Sequence, residues 1–403
     1  MQYKTAQSLN IFDFYIVLWC VYKQQEALFS SGGIVFQVIL LVLLFLSAFY
    51  AYRVITQYKT PLYFRGLNVL LGVMAIYGLF LLLGNQDIVL RENGAYVQRF
   101  EYLKMLMISL LPIYVFYYFG RQGYITEKRL TIYALIFVGL AANSFFFSQS
   151  QSLAEGFSTE RFQITNNVGY VFVAIIPLLA LVKNNILKYG LLVVCITFAY
   201  LSIKRGAIIT STLSGLLFLL LSLKTSKKWN KVISMIALIA IVAGAYYLLS
   251  ELIESNDYFR GRYEYTLSGE ESTRDVIYND LWNHFINNSS FLNIMFGNGA
   301  FSTTRFTINY AHSDWFEILI DQGLFGVLIY AFYWICFFKT WQIAKKRNND
   351  VISISLLLVI VIYFLKSIFS MSFNNMDLYA TFSLGYCLSQ VNKKVALKTL
   401  FDK

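Results

Sequence analysis

Residues 311–326 read Ala311-His312-Ser313-Asp314-Trp315-Phe316-Glu317-Ile318-Leu319-Ile320-Asp321-Gln322-Gly323-Leu324-Phe325-Gly326. They close a long polar insertion, from about residue 251, in an otherwise apolar chain of 403 residues. With Ser313 as N-cap, Asp314, Glu317 and Asp321 fall within about 60° of one another on a helix. Acidic residues suit a first turn, but Asp321 lies two turns in and is predicted to face the bundle interior or a water-filled cavity.

The composition indicates a membrane protein, because 58% of the residues are hydrophobic and only 14% are charged. Apolar runs long enough, or nearly long enough, to cross about 30 Å of hydrocarbon predict an all-α polytopic bundle of about twelve transmembrane helices. The runs lie near 8–28, 33–52, 64–84, 102–119, 130–148, 164–182, 188–203, 206–223, 231–250, 317–338, 351–371 and 375–391. The glycines Gly323 and Gly326 are expected to permit close packing of the tenth helix.

The basic residues predict the orientation of the bundle. If both termini are cytoplasmic, 21 of the 33 Lys and Arg residues lie in cytoplasmic loops or at the termini, as the positive-inside rule requires. The chain is therefore predicted to be a single multi-pass domain, residues 1–403, in the inner membrane. A large external loop, residues 251–316, would carry part of the active site. This distribution of basic residues is typical of topology determinants rather than of nucleic-acid binding.

The apolar stretch from about 188 to 223 is too long for one helix, since 36 residues would extend about 54 Å. It is predicted to turn near Ser202-Ile203-Lys204-Arg205-Gly206. Lys204 and Arg205 would then lie at the outer edge of the hydrocarbon. A tight turn with snorkelling cations explains them, and so does a role in binding an anion.

The candidate catalytic side chains on the outer side are arginines and a histidine. The sequence has no His-Glu-x-x-His, paired Cys-x-x-Cys, phosphate-loop or Gly-x-Ser-x-Gly motif, so we predict no metal site and no cofactor. Arginine can hold a phosphate in two hydrogen bonds, and His312 can accept a proton near neutral pH. This combination suits transfer from a diphosphate donor, whereas a glycosidase would need two opposed carboxylates.

Five segments resemble motifs of the O-antigen ligase and polymerase superfamily of bacterial envelope glycosyltransferases. They are Arg161 with Thr165-Asn166-Asn167-Val168-Gly169, the Ser202–Gly206 turn, Ser272-Thr273-Arg274, Phe296-Gly297-Asn298-Gly299, and Ala311–Trp315 followed by Gln322–Gly326. The family's usual His-Asn is His312-Ser313 here, and its usual Ser-Arg-Gly is Lys204-Arg205-Gly206.

The resemblance implies a metal-independent enzyme that uses undecaprenyl-diphosphate-linked glycans on the outer face of the cytoplasmic membrane. It implies that His312 is the general base and that Arg205 and Arg274 hold the donor diphosphate. Further substrate contacts are expected from Arg161, Lys204, Asn167, Asp314 and Trp315. The expected partners are the lipid-linked substrates, the bilayer and a polysaccharide chain-length regulator.

The resemblance favours a polymerase of O-antigen, capsule or exopolysaccharide repeat units, with the O-antigen ligase, which attaches the glycan to lipid A core, as the alternative. A different class, a lipid-linked oligosaccharide transporter, often shows paired halves with charges in corresponding positions. This chain shows no such pairing, although Asp87, Lys366 and Asp377 near helix ends keep that class open.

Overall fold

The computed structural model describes residues 11–25, 33–84, 88–89, 96–154, 166–225, 273–307, 309–347, 350–373 and 376–401, with single helical positions between 232 and 260. The described elements are α1 (Ile11–Lys23), α2 (Ile34–Gln57), α3 (Leu62–Leu83), β1 (Ile88–Val89), β2 (Tyr96–Val97), α4 (Phe100–Leu110), α5 (Pro112–Gln122), α6 (Glu127–Ala154), α7 (Gly169–Leu179), α8 (Asn185–Leu201), α9 (Arg205–Thr225), α10 (Thr273–Asn283), a π-helix (His284–Asn288), α11 (Phe291–Phe296), α12 (Thr303–Phe306), α13 (Asp314–Lys346), α14 (Asp350–Phe369) and α15 (Leu378–Phe401).

The described chain is a polytopic helical membrane protein, as the sequence predicts. Among the residues that the structure describes, seven helical segments are long and apolar enough to span a bilayer: α2, α3, the α4–α5 pair, α6, α9, α13 and α14. The apolar helices α7 and α8 are shorter. The predicted span 231–250 lies largely outside the described residues, so the number twelve stays a prediction. The two short strands pair antiparallel, Ile88 with Val97.

Small residues allow the helices of the bundle to pack closely. A Cβ atom added to Gly66 of α3 would lie 2.9 Å from both the Cα of Tyr333 and the Cβ of Cys336 in α13. Gly120 of α5 packs in the same way against Ser389 of α15. Side chains as apolar as lipid gain little from leaving lipid for a helix interface, so close backbone approach supplies much of the packing energy in a bilayer.

Helix α13 is broken at Gly323. Its backbone has φ 66° and ψ −165°, so the element consists of an N-terminal part, 314–322, and a spanning part, 324–346. At this point the chain packs against α11, and a Cβ on Gly323 would lie 2.6 Å from the amide nitrogen of Gly297. The expectation that Gly323 serves close packing within a continuous helix is therefore wrong in part, because its conformation ends one helix and begins another.

The N-terminal part of α13 binds the preceding loop through two buried carboxylates. Asp321 accepts hydrogen bonds from the amides of Phe301 and Ser302, each at 2.9 Å, and from the Ser302 hydroxyl at 2.8 Å. Glu317 accepts from the Thr303 hydroxyl at 2.7 Å and from the Ala311 amide at 2.6 Å. Asp321 thus faces the loop that precedes α13 rather than the bundle interior or a water-filled cavity.

Replacing Gly323 by alanine should destabilise the protein. The backbone conformation is one that residues with a Cβ reach only at a cost of about 1–3 kcal/mol, and the added atom would also collide with Gly297. Thermal unfolding of the purified protein should show a lower midpoint for G323A. The control is G139A, because Gly139 lies within α6 with open space around its Cβ position. Equal midpoints for the two variants would contradict the role of Gly323.

Asp321→Asn should also lower the unfolding midpoint. An amide presents one acceptor oxygen instead of two, so a buried donor of Phe301 or Ser302 loses its partner at a cost of about 1–3 kcal/mol. Asp280→Asn on the exposed face of α10 should change stability by less than about 0.5 kcal/mol. If D321N unfolds at the same temperature as D280N, the carboxylate does not hold the loop.

Candidate active site at one end of the bundle

The turn between α8 and α9 is where the sequence predicts it. Helix α8 ends at Leu201, and Ile203 adopts a left-handed backbone conformation with φ 54° before α9 begins at Arg205. A β-branched residue rarely adopts positive φ, so surrounding contacts must hold it there. One of these contacts is the hydrogen bond from the amide of Asn166 to the carbonyl of Ser202, at 2.8 Å.

The segment before α7 forms the other side of this turn. The Asn166 amide group donates to the carbonyl of Phe145 at 3.0 Å, and its oxygen accepts from the amide of Val168 at 2.9 Å. Gly169 packs directly against Ser202 and leaves no room for a side chain. The described part of one sequence motif, 166–169, therefore lies in contact with the motif at 202–206, and Asn167 is exposed at the surface beside them.

The cations of the turn lie at the positive end of a helix dipole. Arg205 is exposed and is the first residue of α9, and Lys204 precedes it half-buried. Basic residues at a helix N-terminus are electrostatically unfavourable, whereas an anion is stabilised there. The two cations at the N-terminus of α9 therefore do not favour folding, but together with the helix dipole they would favour the binding of an anion.

Arg274 lies near both α7 and α13. It is exposed near the start of α10, and its guanidinium interacts electrostatically with Tyr170 in the first turn of α7. Burial raises the pKa of Tyr278, and the charge of Arg274 acts in the opposite direction and lowers it. The Tyr278 ring stacks on Phe316 of α13, with ring centroids 4.7 Å apart. Arg274 is thereby placed close to the start of the acidic helix.

His312 is held by residues on both sides. It is half-buried and has a left-handed backbone, φ 53°. The amide of Ala311 is bound by Glu317, and Ser313 occupies the N-cap position of α13. The Ser313 hydroxyl makes no capping bond and instead donates to the carbonyl of Ser367 at 3.4 Å. The imidazole is thus carried on a loop whose ends are fixed to α13 and α14.

Asp314 and Trp315 connect α13 to its neighbours. Asp314 is fully buried and accepts hydrogen bonds from the Tyr330 hydroxyl at 2.6 Å, from the Ser372 amide at 2.7 Å and from the Ser372 hydroxyl. The Trp315 indole donates to the hydroxyl of Ser367 at 3.2 Å, and its ring packs edge-on against Tyr330. Both side chains have structural partners, and the burial of Asp314 favours positioning of the helix over direct contact with a substrate.

Two residues that the motifs did not single out link these segments. The ammonium of Lys366, buried near the end of α14, lies 5.7 Å from the ring centroids of both Tyr170 and Tyr363. It also interacts electrostatically with Asp377 and Asp314. Tyr170 is therefore close to Lys366 and also interacts electrostatically with Arg274. A lysine near the end of an apolar run was the only sequence signal for this contact.

The structure thus brings most of the predicted site to one end of the bundle. The 202–205 turn meets the segment before α7, and Lys366 lies close to Tyr170. Arg274 interacts electrostatically with the same tyrosine, and His312 adjoins the helix that carries Phe316. Arg161 lies outside the described residues. Among the described residues, no group of three or more His, Cys, Asp or Glu side chains could hold a metal ion.

Comparison with known families gives one match. A family model described as O-antigen ligase matches residues 190–331, about a third of the chain, from α8 into α13. The matched segment contains Arg205, Arg274 and His312. A search of curated proteins found no match. The match over residues 190–331 confirms the resemblance of this chain to the O-antigen ligase and polymerase superfamily.

Proposed function

We propose that this membrane enzyme is a glycosyltransferase that polymerises undecaprenyl-diphosphate-linked oligosaccharide repeat units into O-antigen, capsular or exopolysaccharide. The observation that carries the proposal is the gathering of Arg205, Arg274 and His312 at one end of the bundle, within the matched segment. That end would face outward if both termini are cytoplasmic. A polysaccharide chain-length regulator is the protein partner expected from the family.

In the proposed reaction the arginines bind the donor. The guanidinium groups of Arg205 and Arg274 hold the diphosphate and stabilise the charge that it gains as the bond between the sugar and the phosphate oxygen breaks. Lys204, Asn167 and Arg161 supply further contacts to phosphate or glycan. The helix dipole at the start of α9 adds to the same electrostatic stabilisation.

His312 acts on the acceptor in this mechanism. Its imidazole takes the proton of the acceptor hydroxyl while the hydroxyl oxygen forms the new glycosidic bond to the donor sugar. The products are a glycan longer by one transferred unit and a free lipid diphosphate. Asp314 serves as a positioning residue, because its bonds to Tyr330 and Ser372 fix the helix start that follows His312.

The nearby carboxylates do not oppose an incoming diphosphate strongly. Glu317 and Asp321 are almost fully buried, and each accepts hydrogen bonds from the outer loop. Their oxygen atoms are therefore directed at fixed donors of the loop that precedes α13. A bound anion would meet a locally positive surface, which supports the assignment of the donor site to this end.

Arg205→Ala should lower polymer formation by about 10²–10³-fold, the usual effect of removing one group that stabilises developing charge. Arg205→Lys should recover only part of the activity, because a lysine keeps the charge but loses the two-pronged hydrogen bonding. Lys224→Ala is the matched control, since Lys224 lies exposed at the other end of the same helix. Rates would be measured with purified protein in liposomes. Equal rates for R205A and K224A would remove Arg205 from the mechanism.

His312→Asn should reduce the rate by about 10²–10⁴-fold, the usual contribution of a general base. Asparagine is chosen because it tolerates the left-handed backbone that His312 adopts, so the loop should keep its conformation. The unfolding temperature should therefore change little while the rate falls. A folded H312N protein with normal turnover would show that the imidazole is not the base.

The O-antigen ligase is the second candidate, favoured by the description of the matching family model. Purified protein would be supplied with lipid-diphosphate-linked repeat units, without metal or nucleotide, and the products separated on a glycan gel. A ladder of products supports the polymerase. Transfer only after addition of a lipid A core acceptor supports the ligase, and no transfer in either case contradicts both and favours the transporter.

A further inference from the structure

The outer loop contains a long stretch without charged side chains. Residues 281–296 read Leu281-Trp282-Asn283-His284-Phe285-Ile286-Asn287-Asn288-Ser289-Ser290-Phe291-Leu292-Asn293-Ile294-Met295-Phe296. The stretch covers the end of α10, the π-helix and α11. It has no Lys, Arg, Asp or Glu, although it lies inside the most polar part of the chain.

The apolar side chains of this stretch divide into two sets. Leu281 and Phe285 are buried against Ile277, Ala311 and Ile320 in a small core beneath the loop. A second set, which we call the apolar ridge, points away from that core: Trp282, Ile286, Phe291, Leu292 and Phe296. Phe291 and Leu292 are 74% and 66% exposed, values far above those expected for large apolar residues in contact with water.

The depth of the apolar ridge can be measured against α3. That helix has 22 residues, about 33 Å, which matches the hydrocarbon thickness. The Tyr77 hydroxyl donates a hydrogen bond to the carbonyl of Phe296. Since Tyr77 lies six residues before the outer end at Leu83, its Cα is about 9 Å inside that end. The C-terminus of α11 is thus attached below the outer end of a spanning helix.

The spanning part of α13 places the C-terminus of α11 at the same depth. The ring of Phe296 lies 6.0 Å from that of Phe325, at the outer end of the spanning part of α13. Phe325 is itself 43% exposed, and Phe80 and Leu83 near the end of α3 are 71% and 80% exposed. These side chains belong to the lipid-facing surface of the bundle, and the apolar ridge continues that surface.

We propose that the apolar ridge is embedded in the lipid leaflet at this end of the bundle, so that α11 and the π-helix lie in the membrane interface and do not project into water. The occupant of this surface is lipid acyl chain. The absence of charge from residues 281–296, the position of Trp282 and the amphipathic division of the stretch fit an interfacial segment. The inference does not depend on the reaction that the enzyme catalyses.

Site-directed spin labelling tests this placement. A nitroxide at F291C would be compared with one at L79C, on the lipid-facing side of α3, and one at D280C, on the exposed face of α10. The protein would be reconstituted in nanodiscs, and collision rates measured with oxygen, which concentrates in lipid, and with a water-soluble nickel complex. Unsubstituted protein corrects for labelling of the native cysteines.

The expected result is that position 291 behaves like position 79, accessible to oxygen and protected from nickel, at a depth of about 5–10 Å. Position 280 should be accessible to nickel. Nickel access at 291 equal to that at 280 would overturn the proposal, because the ridge would then face water. Protection of 291 from both reagents would also overturn it, because the ridge would then be covered by protein, such as a second copy of the chain.

Discussion

The buried carboxylates at the start of α13 are the constraint on which this end of the bundle depends. A carboxyl group buried away from water is costly unless hydrogen-bond donors surround it. Three such groups follow one another here, and the backbone and hydroxyl donors that satisfy them come from residues 301–303, Ala311, Tyr330 and Ser372. The loop that precedes α13 and the α14–α15 connection are therefore both hydrogen-bonded to the first turns of α13.

Much of this fold could be predicted from sequence because each membrane span corresponds to a continuous run of apolar residues. The turn at Ser202–Gly206 was predictable for the same reason, since the run around it exceeds the bilayer thickness. The break at Gly323 was not, because glycine within an apolar helix usually marks close packing. Its positive φ depends on contact with Met295 and Gly297, more than twenty residues earlier, and no local pattern displays that contact.

Only part of the candidate site could be predicted from the sequence. Arg205, Arg274 and His312 stand out because each lies in a segment that resembles a motif of the family. Tyr170 and Lys366 do not, since tyrosines and lysines occur at the interfaces of all membrane proteins. The contact of Lys366 with the Tyr170 ring, and the nearby charge of Arg274, become visible only when α7, α10 and α14 are assembled.

The break in α13 also bears on how the protein fits its membrane. A straight helix of 33 residues would extend about 50 Å, well beyond the hydrocarbon layer. Below Gly323 the helix alone matches the bilayer, and a thicker or thinner membrane is accommodated by its tilt. Above Gly323 the helix is fixed by its carboxylates to the loop and to Ser372. Hydrophobic mismatch thus changes the tilt of the spanning part of α13. The part that follows His312 keeps its position relative to the loop and to Ser372.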